Sequence, residues 1–181
     1  MEYSHIMVRF GELSTKGKNK KDFIKTLAIN IKHSLKEFES LRIETRYDHI
    51  YVILNGQDYQ PVMTRLQDIS GIYSLSLVYK VESDIEKIKE ACFELIQKEE
   101  GKTFKVKSKR ADKRFPIVSD VIVRQVATVI LKNTDLKVDV HNPEYLLKIE
   151  IREDYTYIYS KEIKALGGYP VGVAGKGLLM L

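Results

Sequence analysis

The stretch that decides how the C-terminal half folds is Lys102-Thr-Phe-Lys-Val-Lys-Ser-Lys-Arg-Ala-Asp-Lys-Arg114. It holds seven basic residues and one acidic residue, a net charge of +6, whereas the whole chain carries +5. The excess positive charge is therefore local. The first half alternates in the manner of a half-buried strand, with Phe104 and Val106 on one face and Lys105, Lys107 and Lys109 on the other.

Beyond this strand the chain enters a basic loop that ends at Pro116, and Ser119 is predicted to cap the next helix. Basic side chains and the free N–H groups of a helix N-terminus converge in such a geometry, which suits backbone phosphates. The predicted nucleic-acid contacts are Lys107, Lys109, Arg110, Lys113 and Arg114, with Phe115 stacking on an unpaired base. Two structural interpretations stay open: a solvated edge strand that resists aggregation, and a packing role for Phe115 under the loop.

Composition limits the possible functions. The chain has 181 residues and an isoelectric point near 9.1. It contains one cysteine, so an internal disulfide is excluded. This residue, Cys92, is predicted to lie in the core. The four histidines are scattered without metal-ligand spacing, and we find neither a nucleophile elbow nor a carboxylate pair. No signal peptide or membrane span is expected, and no catalytic constellation is visible.

The N-terminal half predicts the element order β-α-β-β-α-β of a ferredoxin-like domain. Its first helix, Lys18 to Phe38, has an amphipathic stripe, and Arg42 to Leu54 reads as a hairpin. The entry to this helix is basic, which opposes the helix dipole. Lys16 and Lys18 are therefore predicted as an auxiliary anion-binding patch, with plain solvation as the alternative.

The C-terminal half predicts an α/β domain with a helix that opens on the capping box Ser83-Asp-Ile-Glu86. After the basic strand and its helix, three strands follow, from Lys137, Tyr145 and Tyr155. Residues 166–181 are glycine-rich and are predicted to form a flexible linker. They fail the Walker A pattern, because Pro170 stands where glycine is needed and Gly177 where serine or threonine is needed.

Three separated segments resemble the tRNA 4-thiouridine synthase (tRNA sulfurtransferase) family. They are Arg9-Phe-Gly-Glu-Leu-Ser-Thr-Lys-Gly-Lys-Asn19, then Phe104 to Ser119 with its Lys109-Arg110 and Asp112-Lys113 pairs, then Gly167-Gly-Tyr-Pro-Val-Gly172 with Gly175-Lys-Gly177. The resemblance implies an α+β chain. It consists of a ferredoxin-like domain over residues 1–80, a THUMP domain over 81–165, and a linker, 166–181, toward a catalytic domain.

The resemblance also implies a function, which is to hold the acceptor stem and 3′ end of tRNA. In that family ATP binds a pyrophosphate loop that would follow this sequence, so we expect the 181 residues alone to be non-catalytic and without a cofactor. The family's parent enzyme is cytoplasmic, makes 4-thiouridine with a sulfur-donor protein, and serves thiamine synthesis in some bacteria.

Two other functions remain open at this level. The tyrosine-rich segment Tyr145 to Tyr159 could form a sheet edge that pairs with another chain, as in a homodimer. An enzyme acting on a small anion is less well supported, since no acid/base pair is visible. Phosphate binding weakens steeply with salt and an apolar interface does not, so salt response separates the first two alternatives.

Overall fold

The computed structural model describes residues 2–11, 20–153, 155–173 and 175. Among them it contains nine strands and four helices in mixed order. In chain order these are β1 (His5–Arg9), α1 (Lys20–Ser34), β2 (Arg42–Thr45), β3 (Ile50–Ile53), α2 (Tyr59–Gln67), β4 (Ser74–Glu82), α3 (Ile85–Gln97), β5 (Thr103–Arg110), α4 (Ser119–Asn133), β6 (Lys137–Val138), β7 (Tyr145–Ile151), β8 (Tyr155–Tyr159) and β9 (Ile163–Lys164).

The chain divides into two compact units. The first unit comprises Ser4–Ser76 and the described residues from Glu162 onward, and the second comprises Leu77–Lys161 with the N-terminal residues up to Tyr3. The sequence-based limits differ from this division, because they placed the first boundary at residue 80 and grouped residues 162–165 with the second domain. Strand β4 starts in the first unit and ends in the second.

The first unit has the predicted order β-α-β-β-α-β, and its strands lie in the order β2-β3-β1-β4. Strand β3 is antiparallel to both neighbours, with Val52 opposite Ile43 on one side and Ile6 on the other. Helix α1 buries the predicted stripe, including Ile24, Leu27 and Ile31. The ferredoxin-like fold predicted for this part of the chain is thus confirmed.

The C-terminal segment packs on the first unit as far as it is described. Strand β9 pairs with the start of β4, and Gly71 N–H donates to the Gly167 carbonyl at 2.7 Å. The Ser70 hydroxyl donates to the Tyr169 carbonyl at 2.6 Å, and Asn30 of α1 donates to the Val171 carbonyl at 3.1 Å. Residues 166–173 therefore do not form a flexible linker, because their backbone carbonyls accept these hydrogen bonds.

In the second unit the strands lie in the order β4-β8-β7-β5-β6. Helices α3 and α4 contact each other, α3 contacts β8, and α4 contacts β5. The core between these helices and the sheet includes Ile88, Phe104, Ile122 and Ile130, all fully buried. Cys92 lies in this core as predicted, and burial raises the pKa of its thiol.

Both predicted helix caps in the second unit are wrong by one residue. Asp84, not Ser83, caps α3, and its carboxylate accepts the N–H groups of Glu86 and Lys87 at 3.0 and 3.1 Å. The Ser83 hydroxyl instead lies 3.1 Å from that of Thr156. Ser119 is the first residue of α4 rather than its cap; the capping position is Val118, which has no side chain able to accept an N–H.

We predict that Gly71→Ala destabilises the first unit more than Gly56→Ala. Both glycines have positive φ, at 98° and 83°, but a Cβ on Gly71 would lie 2.8 Å from Pro170 Cγ, whereas nothing lies within 4 Å at Gly56. Backbone strain alone should cost about 1–2 kcal/mol, and the clash should add about 1–3 kcal/mol. Urea unfolding measures both; equal losses would contradict the described packing of Pro170.

Candidate nucleic-acid interface

Strand β5 is held in parallel register with β7 over seven consecutive residues, from Phe104 opposite Tyr145 to Arg110 opposite Ile151. Phe104 and Val106 are buried, as the alternation predicted. On its other side β5 pairs with β6 only at Thr103 and Phe104, so the rest of β5 is an edge among the described strands. The prediction that β5 is an edge strand is therefore correct, but the edge position does not decide whether the strand binds a ligand.

Three lysines of this region project without a described protein partner. Lys107, Lys109 and Lys113 are exposed, and none of their ammonium groups forms a hydrogen bond or ion pair with another described residue. Lys105, which shares a sheet face with Lys107 and Lys109, differs because its Nζ donates to the Val140 carbonyl at 2.6 Å. The cations available to a ligand are thus fewer than the sequence count suggests.

Arg110 has a structural role in the loop between β5 and α4, which we call the β5–α4 loop (residues 111–118). Its side chain is half-buried, and Nη1 donates to the carbonyls of Phe115 and Ile117 at 2.9 and 3.3 Å. Phe115 and Ile117 pack against the core of the second unit. Arg110 therefore ties the end of the strand to the residues that lead into the helix.

Arg114 is neutralised by two carboxylates. Its guanidinium donates to Asp112 at 3.0–3.2 Å and lies 2.5 Å from Glu153. Hydrogen bonds from the Arg114 side chain and backbone hold the pKa of the Asp112 carboxyl below its usual value. The same two carboxylates, Asp112 foremost, raise the pKa of the guanidinium. These contacts hold Arg114 against Asp112 of the same loop and against Glu153, and they reduce the net positive charge that Arg114 offers to a ligand.

The first turn of α4 opens beside the basic strand. A surface cavity of about 480 Å³ is lined by Ser119 and Asp120 of this turn and by parts of β5, β7 and β8, including Lys107 and Lys109. Two acidic residues, Asp120 and Glu150, also line it, and Glu150 pairs with Arg152 at 2.6 Å. The cavity therefore combines exposed cations with helix N–H groups that no side chain caps.

The other sequence-predicted residues have different outcomes. Lys16 and Lys18 lie outside the described residues. Phe115 is half-buried against the core, which favours its packing role. No group of His, Cys, Asp or Glu that could hold a metal occurs in the described ranges. The same part of the chain contains no helix long and apolar enough to cross a bilayer.

The tyrosine-rich strands do not form a sheet edge. Strand β7 lies between β5 and β8, and β8 lies between β7 and β4. Their backbone groups are therefore paired on both sides, and the predicted edge-to-edge dimer through Tyr145 to Tyr159 is wrong. The alternation of tyrosines was interpreted correctly as strand, but the strand order could not be predicted from it.

Comparisons with known proteins agree with the geometry. Family models match at residues 5–76, a ThiI ferredoxin-like domain, and at residues 82–161, a THUMP domain. A probable tRNA sulfurtransferase of Anoxybacillus flavithermus is 45% identical over the whole chain, which covers 46% of that relative. The chain thus spans just under half the length of this relative.

Two solved structures are similar over nearly the whole chain. A 4-thiouridine synthetase, crystallised with RNA and ATP, has a TM-score of 0.85 and 30% identity over 99% of this chain and 46% of its own. The protein PH1313 of Pyrococcus horikoshii has a TM-score of 0.79 and 31% identity over 93% of this chain and 57% of its own.

The fold and these matches define a two-domain protein, a ferredoxin-like domain followed by a THUMP domain. Over its whole length the chain is similar to part of a probable tRNA sulfurtransferase, and its first domain matches the ThiI ferredoxin-like model.

We predict that Arg110→Gln loosens the β5–α4 loop. The variant loses both hydrogen bonds to the carbonyls of Phe115 and Ile117, and a bond from a charged donor contributes about 1.5–3 kcal/mol. Amide hydrogen exchange in residues 111–118 should accelerate relative to wild type. Lys109→Gln is the matched control, because its exposed side chain has no described partner. Equal exchange in the two variants would show that Arg110 does not hold the loop.

Proposed function

We propose that this chain binds tRNA through the second unit, at the surface formed by the exposed side of β5, the β5–α4 loop and the first turn of α4. We call this surface the β5–α4 surface. The observation that carries the proposal is the group of three exposed lysines, Lys107, Lys109 and Lys113, beside uncapped helix N–H groups. Phosphates match both features. The bound RNA of the similar 4-thiouridine synthetase supports the same ligand class.

The basic residues divide into two roles in this proposal. Lys107, Lys109 and Lys113 contact phosphates, because no described protein group already binds their ammonium groups. Arg110 and Arg114 act as positioning residues, since their guanidinium groups already hold loop carbonyls and carboxylates. The proposal includes contact with the acceptor stem and single-stranded 3′ end of tRNA. Recognition there depends on shape, because side chains cannot read the deep major groove of A-form RNA.

For the whole parent protein we propose ATP-dependent transfer of sulfur to tRNA, giving 4-thiouridine, with a sulfur-donor protein as partner and the cytoplasm as its location. The same proposal includes a contribution of the parent protein to thiamine synthesis and its assembly as a homodimer, through a surface other than the edges of β7 and β8. The 181 residues contribute RNA binding rather than catalysis, which is supported by the lack of an acid/base constellation in the sequence.

The first prediction of this proposal concerns salt dependence. The triple variant Lys107→Ala/Lys109→Ala/Lys113→Ala should bind an acceptor-stem minihelix more weakly than wild type. Its slope of log affinity against log salt should be flatter by about two to three contacts, because each neutralised phosphate contributes about 0.7–0.9. Fluorescence anisotropy at several salt concentrations measures both quantities. A folded triple variant with wild-type affinity and slope would refute the interface.

The second prediction separates positioning from contact. Arg110→Gln should lower affinity for the same minihelix while leaving the salt slope unchanged, because no phosphate contact is lost. Lys109→Gln should flatten the slope by about one contact. Arg110→Lys, which keeps the charge but not the planar donors, should behave like Arg110→Gln. A slope change for Arg110→Gln equal to that of Lys109→Gln would show that Arg110 contacts phosphate directly.

A further inference from the structure

The first unit carries another basic surface, which lies between α1 and the turn that joins β2 to β3. A groove of about 700 Å³ is bordered there by four cationic side chains, those of Lys21, Lys25, Lys32 and Arg46. No carboxylate is among the described residues that line it. We call this the α1 groove.

The three lysines form one row along α1. Their spacing of four and then seven residues places them on one helix face, and they span about 16 Å, or three turns. None of the three ammonium groups forms a hydrogen bond or ion pair with another described residue, and all three side chains are exposed. Arg46 differs, because it pairs with Glu44 at 3.1 Å. The groove therefore presents at least three uncompensated positive charges.

Exposed apolar side chains also line the groove, and this feature identifies the kind of ligand. Ile29 is 56% exposed and Tyr47 is 76% exposed, which is high for side chains of this size. The Tyr47 ring also receives the Lys20 ammonium 3.6 Å from its centroid, so it is held beside the helix. A phosphate backbone would use the lysines, and an unpaired base could stack on Tyr47 but not on Ile29, whereas an apolar side chain of a protein would bury both.

We propose that the α1 groove docks an acidic amphipathic segment of a partner protein. Its apolar side chains cover Ile29 and Tyr47, and its carboxylates face Lys21, Lys25 and Lys32. A helix suits the site, because carboxylates four residues apart repeat at the spacing of Lys21 and Lys25, and helices commonly bind by laying one apolar face into a groove. Tyrosine and arginine at the border are typical of protein interfaces.

The test begins with a phage-displayed library of random peptides, each about 16 residues long, enough for four helical turns. The library is selected against the full chain, and the most enriched peptide is synthesised with a fluorophore for anisotropy. The proposal expects acidic peptides with apolar residues at helical spacing. Failure to enrich such peptides would overturn it.

Three variants locate the binding. Ile29→Ser keeps the charge of the groove and removes one exposed apolar side chain, while Lys25→Ser/Lys32→Ser keeps the apolar side chains and removes two positive charges. Each of these two variants should lower the affinity for the peptide by about tenfold or more, which is the range for a well-buried interface contact. Lys132→Ser/Lys137→Ser removes the same charge from exposed sites in the second unit and should leave affinity unchanged. Peptide binding that survives either groove variant would refute the site.

An acceptor-stem minihelix provides the RNA arm of the experiment. The proposal expects neither groove variant to change RNA affinity beyond the effect of the Lys132→Ser/Lys137→Ser control. If the lysine variant weakens RNA specifically and Ile29→Ser weakens neither ligand, the groove is an RNA surface and the proposal fails. Loss of RNA binding by the Lys107→Ala/Lys109→Ala/Lys113→Ala variant is a separate outcome, so the two proposals can fail independently.

Discussion

The parallel pairing of β5 with β7 is the interaction on which the candidate interface depends, because its register sets the direction of every side chain on the basic strand. With Phe104 opposite Tyr145, the residues Phe104 and Val106 face the core, and Lys107 and Lys109 face away from it. A slip of one residue would exchange the two sets and bury lysines without partners. The apolar core therefore enforces the register that exposes the cations.

The same register places Arg110 on the core-facing side, and this explains why neighbouring cations differ in role. Lys109 projects outward, whereas Arg110 turns toward the β5–α4 loop and donates to the carbonyls of Phe115 and Ile117. A guanidinium can satisfy several acceptors at once, which suits this position. The loop is thus shaped before any ligand arrives, and less ordering entropy is lost on binding.

Much of the fold could be predicted from the sequence, because it depends on local patterns. The apolar stripe on α1 repeats with the period of a helix, and the hairpin and the basic strand alternate with the period of a strand. The order of elements follows from these patterns. The packing of residues 166–173 could not be predicted in this way. Their glycines resemble a linker, and only tertiary contacts, such as the position of Pro170 against Gly71 and the hydrogen bond from Gly71 to Gly167, show that this segment is part of the first unit.

The candidate site was predicted less completely than the fold. The sequence located the charge, but it could not separate Lys113, which has no described partner, from Arg114, which Asp112 and Glu153 neutralise. That distinction depends on which neighbour Asp112 pairs with, and on Glu153, which follows β7 and is distant in sequence. The α1 groove was also missed, since it joins a helix face to a turn that lies about twenty residues away in the sequence.

Lysine acetylation footprinting with mass spectrometry, in the presence and absence of an acceptor-stem minihelix, tests the central claim most directly. It reports on the accessibility of each lysine ammonium group in the wild-type protein, without any substitution. The account predicts that RNA protects Lys107, Lys109 and Lys113, while Lys25, Lys32, Lys132 and Lys137 react as before. Saturating RNA that leaves the first three lysines fully reactive would contradict it.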